Sequence, residues 1–258
     1  MTAPDALHRL ADEYQAWWID LLGEHNHIGG AEATKWMLDR AELGPGRRML
    51  DTGAFVGAAA RMASEVSGCE AFATDLNFDF LAAGRDLPGG TPVRWVTADS
   101  ARLPFRDGKF QSVWAMDTYI SVRELSRVAA KHSATLCLNC EVPVDGRGGV
   151  EAFIEEWAEY SWSLAAHKEM SNDATVTWRN AEADMVRRRP YFEQRYGTRP
   201  YLRQLDMLMA MVLSYERHEQ GHGLFVFRRQ VATSASTSRA LSRRGRWPLR
   251  KARLFLGV

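Results

Sequence analysis

An apolar run that ends in an acid, then glycines, then a small-residue helix restricts this chain more than any other stretch. Arg47 to Gly57 reads Arg-Arg-Met-Leu-Asp-Thr-Gly-Ala-Phe-Val-Gly, and Ala58, Ala59 and Ala60 follow. Strand, glycine turn and helix start in that order form a nucleotide-type pocket. Glycine lets the backbone approach a ligand closely, and the first turn of a helix offers unpaired N–H groups.

The strand-then-acid pattern recurs downstream, with short apolar runs leading into Asp75, Asp99, Asp117 and Glu141 and helical stretches between them. This alternation predicts a parallel sheet covered on both faces, with ligands bound beyond the carboxyl ends of its strands. One acid at a strand end means little, because strands run into polar loops anyway. Five at one rim, beside a glycine loop, mark a site.

The rest of the chain frames that sheet. Residues 5–22 read as an amphipathic helix through Leu7, Leu10, Tyr14, Trp17, Trp18 and Leu21, and a second helix is expected from Ala31 to Ala41. Pro88-Gly89-Gly90 reads as a turn. Past Val150 the periodicity changes. One aromatic-rich helix is expected from Val150 to Lys168, another from Asn172 to Arg189, and a Met-rich one from Tyr201 to Tyr215. Pro190 to Pro200 reads as irregular, with Tyr191 to Tyr196 the candidate sixth strand. Gly221-His222-Gly223 reads as a turn into a last strand, Leu224 to Arg228. The expected fold is α/β, a doubly wound, mostly parallel Rossmann-like sheet with N-terminal helices and a helical cap after the fifth strand. At 258 residues one core suffices. Residues 1–231 form the expected domain, with the cap inserted at about 150–200.

Charge and cysteine usage narrow the partners. A net charge of +1 gives no global field for nucleic acid, and no basic groove with stacking residues is visible. Residues 232–258, however, hold seven Lys/Arg and no acid, interleaved with Trp247, Leu249 and Phe255. That basic tail suits an anionic membrane surface or an acidic partner, against the plainer reading of a solvated tail. Cys69, Cys137 and Cys140 make no disulfide framework and suit a reducing cytoplasm. Cys137 and Cys140 have metal-pair spacing, but residues three apart in a strand face opposite ways. Glu24-His25-Asn26-His27 lacks a further ligand at helical spacing, so no metal site is expected. The chain shows no signal-peptide pattern and no apolar run of membrane length, and a soluble intracellular protein is expected.

The segment from His27 to Glu141 resembles the class I S-adenosylmethionine-dependent methyltransferases, closest to those acting on quinone precursors, sarcosine-type amines, sterols and prenyl chains. The matching pieces include His27-Ile28-Gly29-Gly30, Leu50-Asp51-Thr52-Gly53, Thr74-Asp75-Leu76, Ala98-Asp99-Ser100 and Phe110 to Asp117. Their order, with 24 residues from Asp51 to Asp75 and 24 more to Asp99, carries the resemblance. It implies S-adenosyl-L-methionine as cofactor and a small-molecule acceptor. Asp51, Gly53, Ala54 and Gly57 would form the loop around the cofactor's methionine part. Asp75 would accept both ribose hydroxyls. Leu76 would lie on the adenine, Asp99 would accept from its amine, Ser100 would belong to the same cofactor site, and Met116 would line the route to the acceptor. Asp117, Tyr119, Trp157 and Trp162 would face the acceptor, joined in the cap by Tyr160 and Trp178. An acceptor that must lose a proton needs a base, for which Glu141 is the first candidate and His27 the second.

One residue departs from the pattern. Phe55 stands where the family has its middle glycine. Its phenyl group is expected to press into the cofactor's methionine end, and a side chain there tolerates φ > 0 only under strain. Three readings follow from the sequence: an active small-molecule methyltransferase; the same fold turned to other chemistry such as a cyclisation; or a non-catalytic binding or regulatory protein.

Overall fold

The computed structural model describes residues 17–87, 92–144 and 149–230. The basic tail, the first part of the expected N-terminal helix and the turn at Pro88 lie outside the described residues. Five strands pair in parallel: β1 (Arg48–Thr52), β2 (Glu70–Asp75), β3 (Val93–Thr97), β4 (Ser112–Met116) and β5 (Thr135–Pro143). Two more, β6 (Trp162–Glu169) and β7 (Gln220–Arg229), complete one sheet in the order β3-β2-β1-β4-β5-β7-β6. β7 runs antiparallel to both of its neighbours.

The strand order reverses between β1 and β4, which makes the gap beyond their carboxyl ends the topological switch point. Residues of alternate parity enter separate cores, as strand geometry requires. Met49, Ala71, Trp114, Met116 and Cys137 pack on one face, under α1 (Trp17–Leu22), α2 (Gly30–Leu38), α3 (Ala58–Ser67) and α4 (Phe78–Asp86). Leu50, Phe72, Val113, Leu136 and Cys140 pack on the other, under α5 (Val122–Val128) and α6 (Gly149–Glu159). Cys137 and Cys140 thus lie in opposite cores. Among the described residues no group of three or more His, Cys, Asp and Glu is placed to hold a metal ion. No described helix is long and apolar enough to cross a membrane.

The region after β5 departs from expectation. The helix begun at Gly149 stops at Glu159, Ser161 turns the chain at φ 63°, and Trp162–Glu169 is the sixth strand. Tyr191–Tyr196 is therefore not a strand but lies in α8 (Arg189–Tyr196). Pro190 sits in the first turn of α8, where a missing N–H costs nothing. α7 (Ser171–Arg187), α8 and α9 (Thr198–Glu216) form a helical layer on the same face as α1 and α2. Trp18 meets Trp178 edge-on at 5.8 Å, and Trp17 stacks on Tyr196 at 3.9 Å.

Candidate active site

The loop after β1 has left-handed backbone at Gly53 (φ 62°), Phe55 (φ 54°) and Gly57 (φ 69°). Gly53 is required by close approach, since a Cβ there would lie 1.9 Å from Thr118 Oγ1. Phe55 keeps the conformation of the glycine it replaces and bears the strain of it, on the order of 1–2 kcal/mol. Its buried ring meets Phe80 of α4 edge-on at 4.7 Å, which offsets that strain by packing.

Two carboxyls sit behind this loop. Asp75 Oδ2 accepts from the Phe55 N–H at 2.9 Å and Oδ1 from the Asn77 N–H at 2.9 Å, with the Leu76 N–H also bonded to the carboxylate. Burial nevertheless raises Asp75 to about 6. Asp51, whose carboxylate takes the Ala60 N–H at the start of α3, is pushed up to about 7 by burial and then by the charge of Asp75. Asp99 Oδ1 instead accepts from the Ala101 N–H at 2.7 Å and closes the turn that contains Ser100. Tyr119 is half-buried close enough to Asp99 that burial and then this charge raise its hydroxyl pKa.

The facing wall comes from the segment before α2. Glu24 pairs with Arg61 of α3. His27 Nε2 lies 2.9 Å from the Gly30 carbonyl and 3.0 Å from Thr34 Oγ1. A carbonyl only accepts, so Nε2 carries the proton. Burial lowers His27 to about 4, so the ring is neutral at pH 7. Glu24, His27, Asp51, Gly53, Phe55, Ala59 and Met116 line a small cleft at the switch point.

Next to the cleft a second polar group is buried. Asp117, at φ 47° just past β4, donates its N–H to the Asn139 carbonyl at 2.7 Å and accepts the Ile28 N–H on Oδ2 at 2.8 Å. Its Oδ1 is 3.3 Å from His222 Nε2 on β7. His222 Nε2 is also 2.7 Å from Asn139 Oδ1, and His222 Nδ1 is 3.0 Å from Tyr215 Oη of α9. Glu141 lies opposite His222 in the β5–β7 register, and its charge, after burial, helps raise the Tyr215 pKa.

The structure brings Asp51, Gly53, Ala54, Met116 and His27 into one cleft; Asp117 directly follows Met116, and Glu141 lies opposite His222 in the β5–β7 register. Asp75 holds the loop through the Phe55 N–H, while Gly57, Leu76, Asp99, Ser100 and Tyr119 are not among the residues that line the cleft. Trp157 and Trp162 are not brought to the site, which corrects the expectation that they wall an acceptor. Both are buried on the opposite face of the sheet, Trp157 against Phe227 and Trp162 with its Nε1–H on Ser126 Oγ. Sequence reasoning missed Asn139, Tyr215 and His222. The one available signal was a histidine between two glycines in a segment read as a turn.

Residues 50–136 match the family model described as a methyltransferase domain. No curated protein sequence matches the chain. Among solved structures, the fold is similar to a protein of Galdieria sulphuraria provisionally designated a sarcosine dimethylglycine methyltransferase. That similarity has a TM-score of 0.76 at 12% identity and covers 87% of this chain and 99% of the other. The cyclopropane synthase MmaA2 of Mycobacterium tuberculosis follows with a TM-score of 0.75 at 11% identity, covering 88% and 99%. The [4+2]-cyclase SpnF gives a TM-score of 0.64 at 19% identity, covering 77% and 80%.

Proposed function

We propose that this chain, whose residues 50–136 match a methyltransferase domain, is a class I S-adenosylmethionine-dependent methyltransferase that methylates a small organic acceptor beside the β1–β4 switch point. The observation that carries this reading is the glycine loop, which keeps left-handed backbone at all three of its key positions even with Phe55 at the middle one.

The residues present fit the cofactor. Gly53, Ala54 and Ala59 leave backbone and small side chains along one wall of the cleft for the methionine part. The Asp75 carboxylate already takes backbone N–H groups but has lone pairs to spare for ribose hydroxyls. When bound, S-adenosylmethionine supplies a methyl group already activated by its sulfonium. The chain's own task is then alignment, which contributes up to about 7–11 kcal/mol in favourable cases. Met116 and His27 border the cleft on the acceptor side, and a neutral His27 adds no repulsion to a cationic donor.

A small molecule is the favoured acceptor because the cleft is small and no lysine or arginine side chain lines it. A second reading, the same fold used for a rearrangement, is favoured by the phenyl ring of Phe55 at the edge of the cleft. Calorimetric titration with S-adenosylmethionine and S-adenosylhomocysteine separates the two. The proposal expects saturable binding that Asp75→Ala abolishes, and absence of binding by the wild type at millimolar ligand would sink it.

A further inference from the structure

We infer that the edge of the sheet opposite the cleft, where the parallel strands begin, docks together with residues 232–258 on an anionic lipid surface. The inference goes beyond methyl transfer and does not rest on it.

The described part of that edge is a basic band. Arg48 opens β1, Glu70 opens β2, and Arg94 is the second residue of β3. Arg48 and Arg94 share the Glu70 carboxylate, at 3.3 and 2.5 Å. Lys109 precedes β4, with its Nζ 4.1 Å from the centroid of the Phe72 ring and 4.5 Å from that of Phe105. It lies close enough to Arg48, Arg94 and Arg106 to feel their charge. Further along the edge, Arg47 donates to the Ser133 carbonyl at 3.1 Å, beside the exposed Lys131 and His132. Acids on the band are already engaged, Glu70 as above, Asp107 by Arg127 and Glu42 by Arg228. Val66, at the end of α3 where the chain returns to this edge, is 70% exposed beside Glu65.

β7 delivers the tail to the same place. It runs antiparallel to β5, and Arg228 pairs with Thr135, the first residue of β5. The chain beyond Gln230 therefore leaves from the side where the parallel strands start. β1, β4, β5 and β7 are consecutive in the sheet, so at about 4.8 Å per strand this exit lies about 14 Å from Arg48. Residues 232–258 add seven Lys/Arg and no acid, so tail and band present one sign of charge together.

The apolar residues choose among anionic partners. Trp247, Leu249, Leu254, Phe255 and Leu256 are interleaved with the tail's cations, and stable attachment to a bilayer takes a basic cluster plus buried apolar groups. Single-stranded nucleic acid would need aromatic faces laid open for stacking. Here the rings of Phe72, Phe105 and Phe110 pack edge-to-face on one another, with Lys109 over them. The cleft sits at the other end of β1, five residues or about 15 Å away. That is roughly two Debye lengths at physiological salt, so a docked molecule keeps its cleft open to the aqueous side.

Sedimentation of the 258-residue chain with vesicles tests this, using phosphatidylcholine alone and phosphatidylcholine mixed equally with phosphatidylglycerol. Partition to the anionic vesicles should exceed that to the neutral ones by about tenfold or more and fall as salt is raised. Arg106→Glu combined with Lys131→Glu, both exposed, should reduce it about tenfold. Leu254→Ser combined with Phe255→Ser should also weaken it, and neither pair should change the thermal unfolding midpoint. Hydrogen exchange on the vesicles should slow at residues 105–109 and 130–133 and stay unchanged at 23–29. Equal partition to both vesicles, no binding to either, or an edge variant that binds like wild type overturns the proposal. So does slowed exchange at 23–29 instead of the edge, or a preference for a DNA duplex or polyglutamate over the anionic vesicles.

Discussion

The N–H of Phe55 donates to Asp75 Oδ2 at 2.9 Å, so the residue that departs from the glycine pattern is also the one that ties the loop to the second strand end. Backbone position and side-chain bulk are separable here. Gly at 55 would keep the first and remove the second.

Phe55→Gly is expected to widen the cleft and tighten S-adenosylhomocysteine binding. Loss of the buried ring and its Phe80 contact outweighs relief of the left-handed strain, for a net destabilisation of about 1–3 kcal/mol. Calorimetry beside urea unfolding reads both effects. Weaker binding in the variant would mean that the ring contacts the ligand rather than crowding it.

Asp51 gives a pH dependence of defined sign. Its pKa of about 7 and that of Asp75, about 6, exceed the unfolded value near 3.9. The folded chain therefore binds more protons between pH 4 and 7, and this contribution to stability is lost as pH rises, at up to about 1.4 kcal/mol per unit for each group. His27, lowered to about 4, acts in the opposite sense up to about pH 6.5. Comparison with Asp51→Asn isolates the first effect. The variant should gain at least about 1 kcal/mol over wild type between pH 5 and pH 8. Parallel stability curves would contradict it.

Gly53→Ala should destabilise the fold by about 2–4 kcal/mol, since its Cβ would overlap Thr118 Oγ1 and its φ is positive. Thr118→Gly in the same chain should restore part of that loss. A double-mutant cycle with no coupling would show that the two residues do not share this space.

Trp157→Ala should cost about 3–5 kcal/mol of stability and leave S-adenosylhomocysteine affinity unchanged, because the ring is buried on the face away from the cleft. A change in affinity at constant fold would return Trp157 to the site.

What the sequence made legible follows from local chemistry. The apolar run into Asp51, the glycines and the evenly spaced acids are short-range signals, and the first five strands fall where those signals put them. β6 was hidden because nothing punctuates it. The break after α6 is made by Ser161 in left-handed backbone, without glycine or proline, and its aromatics continue the helical spacing of the preceding stretch. Pro190 misled in the other direction, as a breaker in sequence that a helix start accommodates. Gly221 and Gly223 resembled a turn, yet they are packing glycines within β7. A Cβ on Gly223 would come within 2.7 Å of the Phe225 ring. The polar network around His222 draws on β4, β5, β7 and α9, and no local pattern in any one of them announces it.

The place of β7 between β5 and β6 also sets an order of events at the ribosome. β5 and β6 are synthesised well before the strand that joins them, and until residue 220 onward emerges each presents an open edge. His222 travels on that last strand. The nascent chain therefore completes its sheet and its polar network in one late insertion, and it depends on protection from edge-to-edge association until then.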